Sequence, residues 1–131
     1  MKRILFVLLM MTCSVAWAEW ERIGKTRNYV SYVDKATIRK KDKFIQMWDM
    51  SNLFEASVSA SGERYKSEKS LQRYDCKNET QGWVYLAHFS EEYGEGRVVG
   101  SAMQQNNEIR DLPIMPGSAS ELLWKIACGR E

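Results

Sequence analysis

Between Tyr29 and Met103, apolar and aromatic residues recur at the two-residue period of β-strands. Near the C-terminus the period changes to that of a helix. Tyr29–Val33 is rich in aromatic and β-branched residues and closes at Asp34, so it predicts a strand. Arg39–Lys43 is a polar break, after which Phe44–Met50 resumes the pattern with Phe44, Gln46, Trp48 and Met50 on one face. The two runs predict a hairpin with a basic connection. The serine-rich stretch Leu53–Gly62 predicts an exposed loop. Tyr65–Cys76 is highly charged but free of Pro and Gly. It predicts a strand at an edge or with one solvated face, with Tyr74 and Cys76 on one side and Leu71 on the other. Trp83–Phe89 is the strongest strand signal, with His88 beside Val84 and Leu86 and opposite Trp83, Tyr85 and Phe89. Glu91–Gly96 predicts a turn, Arg97–Met103 a further strand and Gln104–Asn107 a polar tip.

Pro113 and Pro116 end the extended pattern. Ser118-Ala119-Ser120-Glu121 has the spacing of a capping box, in which the Ser118 hydroxyl accepts from the Glu121 amide and the Glu121 side chain reaches back. Leu122, Leu123, Ile126 and Ala127 then form an apolar stripe at helical spacing, and Gly129 is the expected stop. The stripe needs a cover, and the sheet is the available one. The predicted fold is α+β, an antiparallel sheet of five to six strands packed by one C-terminal helix.

The first eighteen residues stand outside this pattern. Lys2 and Arg3 precede an unbroken apolar run, Ile4–Met11, and Ala16-Trp17-Ala18 is a small-x-small site. This is a secretory signal, too short in its apolar part to span a bilayer, with cleavage expected between Ala18 and Glu19. Residues 1–18 are therefore a signal peptide, and residues 19–131 form one domain without a transmembrane segment. Thr12 is a poor neighbour for a lipid-accepting Cys13, so a lipid anchor there is not expected. The destination is the periplasm or the exterior, with the outer-membrane surface as the alternative.

Removal of Lys2 and Arg3 leaves seventeen basic and seventeen acidic residues. A chain with no net charge offers no global attraction to nucleic acid or anionic lipid. Of the three cysteines, cleavage leaves Cys76 and Cys128. In an oxidising compartment one such pair implies one disulfide, which would fasten the helix to the end of a strand; two free thiols or pairing between chains are the alternatives.

A series of landmarks carries a family resemblance. Trp20 follows the export signal, and Tyr32-Val33-Asp34 with Ile38 and then Met47-Trp48 come next. Tyr65-Lys66-Ser67, Asp75-Cys76, Pro116-Gly117-Ser118, Leu122-Leu123 and Cys128 complete it. In order and spacing the series resembles the surface-adhesin protein E family of Gram-negative bacteria across nearly the whole mature chain. The resemblance implies a six-stranded antiparallel sheet on a disulfide-tethered C-terminal helix, with Cys76 and Cys128 as the matching pair. It also implies an envelope protein that binds host extracellular-matrix or serum proteins, such as laminin and vitronectin, and forms a homodimer. The chain departs from the family in its weak lipobox and in ending Gly129-Arg130-Glu131 rather than in lysine.

Candidate chemistry is sparse. Glu91 and Glu92 with Glu108 or Asp111 could supply a carboxylate pair for a small hydrolase, but acids in turns are usually solvated. The one histidine, His88, sits in an apolar strand without a nucleophile elbow. Two cysteines 52 positions apart do not match zinc-ligand spacing, and no phosphate loop precedes a helix. The sequence therefore predicts no enzyme and no cofactor. Arg39, Lys40, Lys41 and Lys43 form the dense positive cluster, either a site for an acidic partner or a solvated tip that discourages edge pairing. The expected function is non-enzymatic envelope binding through protein–protein contacts. The alternative is an inhibitor or partner of a hydrolase such as lysozyme, with Leu53–Gly62 filling the enzyme's cleft. Mass spectrometry of the native protein is expected to give Glu19–Glu131, gaining the two hydrogens of one disulfide on reduction. An acylated chain beginning at Cys13 would overturn the export assignment.

Overall fold

Every long strand of the sheet pairs with the strand that follows it in sequence. The computed structural model describes residues 18–130; residues 1–17, the bulk of the expected signal peptide together with Cys13, lie outside them. The elements are β1 (Glu21–Lys25), β2 (Tyr29–Lys41), β3 (Phe44–Val58), β4 (Arg64–Asp75), β5 (Thr80–Phe89), a single 3-10 turn (Glu92–Gly94), β6 (Val98–Met103), β7 (Leu112–Pro113) and α1 (Ala119–Ala127). The spatial order is β1-β2-β3-β4-β5-β6, all antiparallel, and β7 continues the outer edge by pairing with the start of β5. The predicted antiparallel sheet with one C-terminal helix is what the chain forms.

Several segments differ from the sequence expectation. Leu53–Gly62 is not a loop: β3 runs to Val58 and leaves only a short turn before β4. The pairing of β3 with β4 slips between Asn52 and Ser57 and then resumes at Ser57–Tyr65 and Val58–Arg64. A bulge thus absorbs the polar stretch without ending the strand, and its serines were misleading signals. In β5, register slips between Trp83 and Tyr85, which places Trp83 opposite Gln72 and His88 opposite Glu68. Gln72 and Glu68 lie on one face of β4, so Trp83 joins His88 on that face rather than opposing it. In the helix, Leu122 is exposed while Trp124 is buried, so the stripe is Leu123, Trp124, Ile126 and Ala127. β1 was not expected; Ile23 is its one large apolar residue among charges.

The Ser118 cap forms, but the Glu121 side chain reaches back to the Gly117 amide, one residue before the cap, rather than to the Ser118 amide. The Ser118 hydroxyl accepts from the Glu121 amide at 3.2 Å, and the Glu121 carboxylate accepts from the Gly117 amide at 2.9 Å. Gly129 follows the helix at a φ of 66°, where a side chain would be strained. The helix packs Trp124, Ile126 and Ala127 on Val33, Met47 and Tyr74. The Trp124 indole donates to the Asp75 carbonyl at 3.1 Å. Cys76 and Cys128 are joined by a disulfide that ties the end of β4 to the end of the helix. On the chain-entropy account, closing a loop of this length stabilises the fold by about 4 kcal/mol.

Asp49 lies on the helix side of β3, two residues from Met47. Its Oδ1 accepts from the Ser70 hydroxyl at 3.1 Å, and Oδ2 is sealed from solvent without a hydrogen-bond partner among the described residues. Burial, aided by the charge of Glu68 and opposed by the Ser70 bond, pushes its pKa up to about 7. The fold therefore favours the neutral acid. That advantage is full below the unfolded pKa of 3.8 and is lost as pH rises toward 7. Asp49→Asn is expected to match the parent in urea denaturation near pH 4 and to exceed it by a few kcal/mol near pH 8. Equal differences at both pH values would show that Asp49 ionises freely in the fold.

Candidate binding surface

The helix covers one face of the sheet, and the other face is not the polar surface that a one-sided sheet would present. Trp48, Leu71, Tyr85 and Met103 stand directly opposite one another across β3, β4, β5 and β6. Directly opposed residues share a face, so the four form one apolar row across the helix-free side. The Trp48 and Tyr85 rings meet edge to face with centroids 5.7 Å apart. Trp48, Leu71 and Tyr85 are half-buried, and Met103, on the outer strand, is 73% exposed.

Two loops flank this row, each pinned by polar contacts. At one end the 3-10 turn folds over the sheet. The Ser67 hydroxyl donates to the Glu91 carbonyl at 2.6 Å and accepts from the Gly94 amide at 2.8 Å. The Tyr93 amide donates to the Asn52 side chain at 2.9 Å, and the Tyr93 ring packs edge-on against Tyr32. At the other end, buried Arg73 holds the loop before β7. Its Nε and Nη2 donate to the two Asp111 carboxylate oxygens at 2.9 and 2.6 Å, and its guanidinium lies 4.3 Å from the Phe44 ring centre. Gly82 is required beneath this loop, because a Cβ there would fall 2.6 Å from Ile109 Cγ2. Sequence reasoning missed both loop anchors; an arginine and an aspartate 38 positions apart give no local signal.

The acids considered for hydrolysis are not brought together. Glu91 and Glu92 lie in the flap by Ser67, whereas Asp111 is held by Arg73 toward the other end of β4. Glu108 accepts from the Gln105 amide within its own turn. His88 Nε2 pairs with the Glu68 carboxylate at 2.7 Å, and its ring stacks on Tyr65 at 3.9 Å. Among the described residues no cluster could hold a metal ion, and no helix is long and apolar enough to cross a membrane. Ala18 and Glu19 are exposed and outside regular structure.

The basic cluster splits between the two sides of the β2–β3 tip. Lys40 opposes Ile45 on the helix side, while Arg39 and Lys41 oppose Gln46 and Phe44 on the other. Lys43 reaches Asp75 at 3.6 Å. Asp75 also accepts from the Asn78 amide, the Asn78 side chain and the Lys77 amide, which with Lys43 hold its pKa below the usual carboxylate range.

The family model for surface-adhesin protein E matches residues 20–129. The chain belongs to that family. The fold is similar to a solved structure of Haemophilus influenzae protein E in a second crystal form, at TM-score 0.63 and 18% identity, covering 84% of this chain and 87% of that one. Another structure of Haemophilus influenzae protein E superposes at TM-score 0.62 and 19% identity, covering 84% and 83%. Among curated proteins no sequence relative matches. At such identities the likeness establishes the shared fold.

Asp111→Ala is expected to leave the buried Arg73 guanidinium without its carboxylate and to destabilise the protein by about 2 kcal/mol or more. Thermal unfolding and proteolysis of the 104–111 loop check this. A joint Arg73→Met, Asp111→Leu replacement is expected to recover much of the loss.

Proposed function

We propose that the protein is a non-enzymatic binding module of the bacterial envelope, exported and displayed or released outside the inner membrane, that engages a protein ligand through the helix-free face of its sheet. The row Trp48–Leu71–Tyr85–Met103 carries this reading. Large aromatic side chains left half-exposed in a row suit the centre of a protein interface, where tryptophan and tyrosine act as anchors. Family membership supports an adhesin-like role, with a host extracellular-matrix or serum protein as the ligand. A homodimer would use the same kind of contact. The inhibitor reading loses the feature that motivated it, since the segment expected to project into an enzyme's cleft is mostly strand.

The test is binding of the mature chain to immobilised laminin and vitronectin, with inhibition of lysozyme measured in parallel. Joint Trp48→Ala and Tyr85→Ala substitution is expected to weaken matrix binding about a hundredfold or more, since anchors of this type each contribute about 2 kcal/mol and about 1.4 kcal/mol is tenfold. Unchanged binding by a folded double variant would remove the row from the ligand site. Lysozyme inhibition without matrix binding would replace the adhesin reading with the inhibitor one.

A further inference from the structure

Beside the apolar row, on the same face, lies a cleft of about 360 Å³ bounded by the β2–β3 tip and the loop before β7. Lys41, Lys43, Phe44, Gln46, Arg73 and Asn106 contribute to its walls, with Asp42 and Asp111 at its margins. Its floor is fixed by polar and packing contacts: Arg73 is clamped by Asp111 and lies 4.3 Å from the Phe44 ring centre, and Gly82 lets Ile109 close in beneath the loop. Arg73 and Asp111 neutralise each other. Of the remaining charges, Lys41 has no ion pair among the described residues, Lys43 is 3.6 Å from Asp75, and Arg39 adds a third cation on this face. Asp42 and the Asp75 paired with Lys43 are the opposing acids, and the positive balance on this face comes from Arg39, whose guanidinium donates to the Ala36 and Ile38 carbonyls beside the cleft. The carboxamides of Gln46 and Asn106 make no side-chain hydrogen bond to any described residue. Each amide offers both donors and an acceptor.

One unpaired ammonium, Lys41, and a second, Lys43, held at 3.6 Å by Asp75, stand beside unengaged amides in a concave site with a fixed floor, and this set matches one kind of ligand. The lysines pair with an acidic substituent, and the amides take up hydroxyls. The volume suits a small ring-sized unit rather than a folded partner. The β2–β3 tip carries no exposed large apolar side chain to insert into a membrane. We infer that this cleft binds an acidic saccharide unit, a sugar ring bearing a sulfate, phosphate or carboxylate. The site is separate from the Trp48–Tyr85 row, and either can fail without the other.

Two sources share this chemistry, a sulfated glycosaminoglycan and the phosphorylated core sugars of lipopolysaccharide. Isothermal titration of the mature chain with a heparin-derived hexasaccharide, and separately with deacylated lipopolysaccharide core oligosaccharide, distinguishes them. At least one is expected to bind, more weakly as salt is raised. Joint Lys41→Ala and Lys43→Ala substitution is expected to weaken that binding about tenfold, and Asn106→Ala severalfold at constant salt. Joint Lys40→Ala and Lys77→Ala substitution changes the same number of charges outside the cleft and is expected to have less than about a twofold effect. Thermal unfolding confirms that each variant is folded. Failure of both oligosaccharides to bind overturns the proposal. So does an equal loss from the two lysine pairs, which would mean diffuse charge attraction, or insensitivity to Asn106→Ala.

Discussion

The Cys76–Cys128 disulfide and the packing it enforces govern the rest of the structure. A helix of nine residues is too short to persist alone in water. A single sheet, in turn, has no core until something covers one face. The disulfide keeps the helix at the end of β4, and Trp124, Ile126 and Ala127 then close over Val33, Met47 and Tyr74. The Trp124 indole bond to Asp75 and the Ser118–Glu121 cap align what the covalent link holds near. Even Asp49 depends on this cover, because its raised pKa follows from burial on the helix side.

With one face committed to the helix, the opposite face is free for other work. It is not left bare. The Ser67-anchored turn covers one end, and the Arg73–Asp111 clamp fixes the loop at the other. Between them remain an apolar row and a polar cleft, side by side on a stiff sheet. Stiffness matters for binding, since a surface that is already ordered loses less conformational entropy when it meets a ligand. The sheet's outer margins are guarded differently. β1 is short and charged, and the exposed part of β2 carries Lys35, Arg39, Lys40 and Lys41, which discourage edge-to-edge association.

Much of this was legible in the residues. Alternation marked the strands, the capping box marked the helix, and an even pair of cysteines marked the tie between them. These signals are local or countable. The errors arose where a distant partner overrode a local cue. Ser57, Ser59 and Ser61 resemble a loop, yet Ser57 continues β3 because Tyr65 pairs with it. Alternation placed Trp83 opposite His88, and one bulge set against β4 reversed that. Trp124 rather than Leu122 is buried, because the sheet and the Asp75 carbonyl determine which side of the helix turns inward.

Period, composition and short spacing in the residues are enough for the α+β class, the antiparallel sheet, the helix boundaries and the family, because each is a local or countable property. Which residues together form a surface follows from the assembled sheet alone. The row from Trp48 to Met103 exists because four strands align in register. The cleft at Lys41 and Lys43 exists because Arg73 draws in Asp111 from 38 positions away. Register and ion pairing between distant residues are properties of the folded chain, where free energy depends on which groups meet. No local pattern encodes them.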